Sequence, residues 1–151
     1  MNESPLRIDK EGRWFFQGEE ITHRKTYLLY SRSLTRDESG RIIVRIGREQ
    51  CPVEVEDAPF VVTTMAFVPF GSDGQEAMWL TLNDETREKL DPGTLRIGPN
   101  NIPYCKVRGG IFDARFSRNA YQLLVPHIQH DEKDKKFFLF LNKNKYHLTI
   151  N

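Results

Sequence analysis

Residues 41–55, RIIVRIGREQCPVEV, and residues 136–150, KFFLFLNKNKYHLTI, carry one pattern: two short apolar runs around a polar tip, 95 positions apart. Each position that is apolar at 42–44, 46, 53 and 55 is apolar again at its partner, and each phrase reads as a β-hairpin. The elements upstream repeat as well. Gly12 with Trp14 and Phe16 is echoed by Gly110 with Phe112 and Phe116, and a Thr or Ser, an Arg and a Tyr-bearing segment follow in both places. Hairpin, helix, hairpin therefore occurs twice, and a unit of that size cannot bury its own sheet face unaided. The expectation is an α+β protein with an internal duplication, each half made of antiparallel hairpins plus one helix.

The remaining segments fill this frame. A hairpin is expected around Lys10-Glu11-Gly12, then a helix capped by Thr22 and running to about Leu34, with Tyr27, Tyr30 and Leu34 on one face. In VEVE, 53–56, the two Val point one way and the two Glu the other, while 60–68 is apolar on both faces and reads as a central strand. GSDGQE, 71–76, is the most linker-like stretch, which divides the chain into halves 1–72 and 73–151. In the second half the sequence predicts a strand at 78–82 and a short helix from Asn83 or Asp84 through Leu90. Strands at 104–108 and 111–116 follow, then a helix capped by Ser117 and stopped by Pro126.

Charge narrows the function classes. With 22 basic and 21 acidic residues in 151, no long-range field favours nucleic acid or a membrane, and neither is expected as a partner. The polar start MNESPLRIDKEG does not read as a secretory signal. Cys51 and Cys105 share no metal or redox spacing, so two reduced thiols in a soluble, cytoplasmic protein are expected.

Several groupings can carry chemistry. THRK, 22–25, and SRN, 117–119, fall at the two predicted helix starts, where free N–H groups favour an anion between Arg24, Lys25 and Arg118. The carboxylates of EVEDAPF, 54–60, read as solvated strand residues and a turn rather than a wrapped metal loop. His127, His130 and Asp131 can share a metal only on a helix, which Pro126 opposes. Aromatic and basic residues interleave in YCKVRGGIFDARF, 104–116, a pattern more often found in a core than in a single-strand binder. Nucleophile-elbow, phosphate-loop and dinucleotide patterns are lacking in the sequence, and no cofactor or metal is expected.

PLRIDKEGRWFFQGEEITHR, VEVEDAPFVV and PYCKVRGGIFDARFSRNAYQLLV together resemble a bacterial family of unknown function, domain-of-unknown-function family 1285. The resemblance implies a duplicated two-part α+β protein whose second part is similar to pleckstrin-homology folds. It also implies a site at the interface of the two parts for a nucleotide-like ligand in signalling. Carried onto matching positions, the ligand-binding candidates are Arg24, Glu49, Asp57, Asn83, Tyr104, Arg108 and Arg118. The chain departs from the family pattern at Ile46-Gly47, at Leu82 and in its C-terminal strand.

The resulting expectation is a non-catalytic module that binds a small anionic, nucleotide-like ligand. Arg24, Arg108 and Arg118 would hold the anion, Asp57 and Glu49 would orient those arginines, and Tyr104 would stack on a base. The alternative is a protein-interaction adaptor working through exposed strand edges or the 137–150 hairpin. A hydrolase using Asp57 or His127 is a third reading.

Overall fold

The computed structural model describes residues 4–150, and the chain divides into two compact units, Met1–Pro59 and Phe60–Asn151. The architecture is α+β, mostly sheet with two short helices. The division falls after Pro59 rather than near residue 72. The central strand 60–68 finds its hydrogen-bonding partners in the second unit, and 71–76 is a turn between two paired strands.

In the first unit the order is β1 (Leu6–Ile8), β2 (Trp14–Phe16), β3 (Glu19–Glu20), α1 (Arg24–Arg32), β4 (Leu34–Arg36), β5 (Ile42–Ile46) and β6 (Glu49–Val55). These strands form one sheet in the order β3-β2-β1-β6-β5-β4, in which only β1 and β6 run parallel. Their register sets Leu6 opposite Val53 and Ile8 opposite Val55. The apolar set thereby shares one face, and Arg7 meets Glu56 on the other at 2.7 Å. Leu28 and Ser31 are the buried residues of α1, and the Tyr30 ring lies 5.8 Å from the buried ring of Trp14.

The helix starts one step later than Thr22 predicts. His23 is the N-cap residue, its side chain makes no capping bond, and its Nδ1 lies 2.9 Å from Thr26 Oγ1. Leu34 is already in β4.

One turn device is used twice in this unit. In DKEGR, 9–13, Asp9 Oδ1 accepts from the backbone N–H groups of Glu11 and Arg13, and the Arg13 guanidinium donates to Oδ2 at 2.8 Å. In DESGR, 37–41, Asp37 takes the same bonds from Ser39 and Arg41, with the Arg41 guanidinium at 2.9 Å. Gly12 and Gly40 sit at φ 83° and 85°, a conformation glycine adopts without steric cost. An Asp side chain that bonds the backbone two residues on is the general solution to such a turn, and here an Arg locks it.

The second unit contains β7 (Phe60–Val68), β8 (Ala77–Leu82), β9 (Arg87–Lys89), β10 (Arg96–Ile97), β11 (Pro103–Val107), β12 (Phe112–Phe116), α2 (Arg118–Leu124), β13 (Ile128–Asp131), β14 (Lys136–Leu141), β15 (Asn144–His147) and β16 (Thr149–Ile150). Seven of these make a sheet in the order β16-β10-β11-β12-β7-β8-β9, and β13-β14-β15 form a second, three-stranded sheet. β7 is central, as its two-sided apolar pattern requires, and Phe60, Val62, Leu80, Leu82 and Ala114 are buried around it.

A register shift between Val62 and Thr64 interrupts the β7–β8 ladder. There the Thr63 carbonyl accepts from Ser117 Oγ at 3.2 Å and Asn119 Nδ2 at 3.0 Å, which anchors α2 on the sheet. Ser117 also caps α2 as expected, accepting from the Ala120 N–H at 3.2 Å, and the helix gives way to a 3₁₀ turn at Val125–His127 around Pro126.

The helix expected from Asn83 or Asp84 to Leu90 is instead a tight turn and β9. Asp84 closes that turn by accepting from the Thr86 N–H and hydroxyl, and Glu85 takes φ 66°, outside the helical region. Both quoted phrases are hairpins, β5–β6 and β14–β15. In each unit a hairpin, a helix and a three-stranded meander follow in that order: β1–β2, α1, β4–β6 and β11–β12, α2, β13–β15.

Candidate functional site

The second unit holds two adjoining cavities with Asn101 and Tyr121 in the walls of both. The first, about 330 Å³, is built where the β10–β11 loop faces the start of α2. The loop contributes Asn100, Asn101, Ile102 and Pro103, and the β12–α2 junction contributes Arg115, Ser117 and Arg118. Asn100 and Asn101 stand consecutively at φ 61° and 60°, a left-handed pair that Asn tolerates better than most residues. The alternation of β12 leaves Arg115 half-buried between the buried Ala114 and Phe116, and Arg118 is exposed.

The second cavity, about 370 Å³, is apolar. Its walls are Ile97 of β10, Val125 after α2, Ile128 of β13, Phe137 of β14, and Leu148 and Ile150 beside and within β16. Three of these, Val125 at 44%, Phe137 at 46% and Ile150 at 64% exposure, belong to the large apolar side chains that the fold leaves in water. Volumes of this size lie at the lower end for small-molecule sites, which are mostly apolar with a few placed polar groups.

The seven predicted residues divide between the units. Arg24, Glu49 and Asp57 are exposed positions of the first unit; Glu49 borders a cavity of about 250 Å³ lined by Leu6, Phe16, Tyr30, Val44, Ile46 and Cys51. Asn83, Tyr104, Arg108 and Arg118 belong to the second, and there only Arg118 lines the paired cavities.

The other three have structural work. Asn83 is tied to β7, its side-chain oxygen accepting from the Val61 N–H at 3.0 Å and its own N–H donating to the Val61 carbonyl. Tyr104 is buried, with the Arg96 guanidinium 4.4 Å from its ring centroid and Gly98 pressed against its edge. Arg108 donates to the fully buried carboxylate of Asp84 and to Thr86 Oγ1 at 3.0 Å, and it covers the Phe60 ring at 4.7 Å. Its backbone N–H points at the Glu88 carboxylate, 3.2 Å away.

The groups sequence reasoning missed are Arg115, Asn100, Asn101 and the site role of Tyr121. A signal existed in IGPNNIPY, 97–104: two successive Asn between prolines predict a loop in a special conformation, and such loops carry sites more often than strand interiors do.

The remaining groupings resolve plainly. His127 lies on Phe67 at 5.0 Å and His130 on Phe137 at 4.9 Å, so the two histidines pack on aromatic rings rather than facing a common ion. Asp131, Asp134 and His147 place ligand atoms within 4.8 Å of one another, but the Lys145 ammonium already occupies Asp131 at 2.8 Å. That bond, with the Lys133 and Asp134 N–H groups, holds Asp131 at a pKa of about 2. Burial pushes the Cys105 thiol up to about 12, which removes its thiolate at neutral pH. Among the described residues no helix is long and apolar enough to cross a membrane.

Comparison with known proteins adds family and fold. Residues 1–58 match the model of the N-terminal domain of the domain of unknown function DUF1285. A DUF1285 family protein from Silicibacter pomeroyi superimposes with a TM-score of 0.78 at 24% identity, covering 97% of this chain and 80% of that one. Another from Shewanella baltica gives 0.66 at 18% identity, over 82% of this chain and 91% of that one. Glycine–tRNA ligases also match: that of Pyrococcus furiosus at 30% identity over 65% of this chain, and that of Pyrococcus horikoshii at 33% over 54%. The chain spans only 19% and 15% of the length of those two ligases. The first unit therefore matches the N-terminal domain of the DUF1285 family, and the chain shares its fold with two proteins of that family.

Proposed function

We propose that the chain is a non-catalytic binding module for a small anionic ligand, held in the second unit with its charge between Arg115 and Arg118. The observation that carries this reading is the pairing of a basic, Asn-lined cavity with an apolar one through the shared Asn101 and Tyr121. Guanidinium groups supply charge-assisted bonds to carboxylate or phosphate, and Asn side chains supply neutral ones. Nucleotide-like signalling molecules in a bacterial cytoplasm are one class of candidate. The free thiols Cys51 and Cys105 are compatible with that compartment.

The shared order of elements in the two units supports an internal duplication as part of this proposal, with the second copy taken as pleckstrin-homology-like. The ligation that the Pyrococcus enzymes are named for is not carried over, since the chain spans less than a fifth of their length.

Thermal unfolding against nucleotides, cyclic dinucleotides, phosphorylated metabolites and simple anions tests the site. A ligand at about a hundred times its Kd stabilises by roughly 2.7 kcal/mol, and at this size each kcal/mol raises Tm by about 2–4 °C. Arg118→Ala should weaken binding about ten- to a hundred-fold, the worth of hydrogen bonds to a charged group. Arg24→Ala, in the other unit, should not. A ligand whose affinity ignores Arg118 removes this assignment. A flat panel together with a stoichiometric protein partner favours the adaptor reading, for which exposed Phe137 and Phe140 on β14 provide the surface.

A further inference from the structure

We infer that the anionic ligand is a single-chain amphiphile, its head between Arg115 and Arg118 and an aliphatic chain in the apolar cavity. The inference rests on the proposed anion site and names its ligand class. Beyond the shared Asn101 and Tyr121, the side chains that line the second cavity are apolar: Ile97, Val125, Ile128, Phe137, Leu148 and Ile150. A nucleobase carries several donors and acceptors, and in this chamber most of them would lose water without gaining a partner, at a cost of about 1–3 kcal/mol for each buried group. A hydrocarbon chain has no such groups to satisfy.

Charge supports the same occupant. The basic residues lie in one cavity, the branched aliphatic ones other than Ile102 in the next, and the two chambers share the polar Asn101 and the amphipathic Tyr121. The exposure of Val125, Phe137 and Ile150 is then the cost of keeping an apolar chamber open, and an alkyl chain covers it.

The test is calorimetric titration with linear alkyl phosphates of increasing chain length, each below its critical micelle concentration, beside inorganic phosphate and AMP. Each added methylene should tighten Kd about three- to four-fold until the chain fills the cavity. Arg118→Ala should weaken every member of the series by one common factor. Val125→Asp, which puts a charge in the apolar wall, should abolish the gain per methylene; circular dichroism confirms that the variant is folded.

If phosphate or AMP binds through Arg118 and chain length adds nothing, the amphiphile is wrong and the anion site stands. If no probe binds, both fall. Binding to phosphatidylglycerol vesicles with no response to monomeric alkyl phosphates would also overturn the single-chain assignment. So would a dimer, seen by light scattering, that Val125→Asp dissociates, because a second copy would then be the occupant.

Discussion

Arg108 separates the ligand role expected from sequence from the structural role seen in the fold. Its guanidinium donates to Asp84, whose side chain is 0% exposed, while Arg108 itself remains 27% exposed. Removing one partner of a buried ion pair costs about 3–5 kcal/mol, because the other charge is left without compensation. Asp84 keeps the Thr86 N–H and hydroxyl, and water can reach part of the space vacated by the arginine, so about 3 kcal/mol is expected for Arg108→Ala. With a urea dependence of about 1–3 kcal/mol per M, the midpoint of the second unit should fall by roughly 1–3 M.

The chain has two tryptophans, one in each unit, so Trp79 fluorescence in a Trp14→Phe background follows the second unit alone. Arg108 sits at φ 56°, so Arg108→Gly should recover about 1 kcal/mol relative to Arg108→Ala by relieving the left-handed backbone. In an Asp84→Asn background Arg108→Ala should cost about 1 kcal/mol, since the buried charge is gone and only a neutral hydrogen bond remains to be lost. Additive single and double variants, or a cost below about 1 kcal/mol for Arg108→Ala, would refute the structural role. If anion binding disappeared while the midpoint held, Arg108 would be the ligand residue its sequence position suggested.

Three further outcomes follow from other contacts. Asp37 is held at a pKa of about 2, chiefly by the Arg41 N–H, so the first unit gains stability above the ordinary carboxylate pKa. That stability is lost as pH falls from about 4 through 2, and Asp37→Asn should flatten the acid limb followed by Trp14 emission in a Trp79→Phe background; an unchanged limb would disprove it. Gly98 has an ordinary φ of −92°, and a Cβ there would lie 2.7 Å from Tyr104 Cε1, so Gly98→Ala should cost about 1–3 kcal/mol in chemical denaturation. Ser117→Ala removes the cap on Ala120 and one bond to the Thr63 carbonyl, which should cost about 1 kcal/mol, with Ser117→Thr recovering most of it.

What the sequence made legible depended on how far away the deciding contact lies. The Ser117 cap, the two repeated hairpins and the two-sided strand at 60–68 follow from neighbours within a few residues, and all three are present. NDETREKL, 83–90, satisfies the same local rules for a helix and fails. The Leu90 N–H is taken by the Met78 carbonyl, β9 pairs with β8, and the turn between them encloses Asp84. An edge strand and a buried carboxylate outweigh a few tenths of a kcal/mol per residue of helix propensity. The DxxGR turns were also open to a local reading, because Asp9 and Asp37 act on residues two and four positions later.

The candidate site was hidden for the same reason. Arg108, Arg115 and Arg118 lie within eleven positions on one strand–turn–strand–helix segment, and nothing local distinguishes them. Arg108 is taken by an aspartate 24 positions upstream, whereas Arg115 and Arg118 face a loop that the sequence presents only as a connection. An arginine whose charge is already matched by a buried carboxylate has little left for a ligand, because a new anion would have to compete with a partner that cannot regain water. The arginines proposed for binding are instead the two that line a cavity beside a polar loop, Arg115 and Arg118. In this unit the Asn100–Asn101 loop selects them, and arginine identity alone does not.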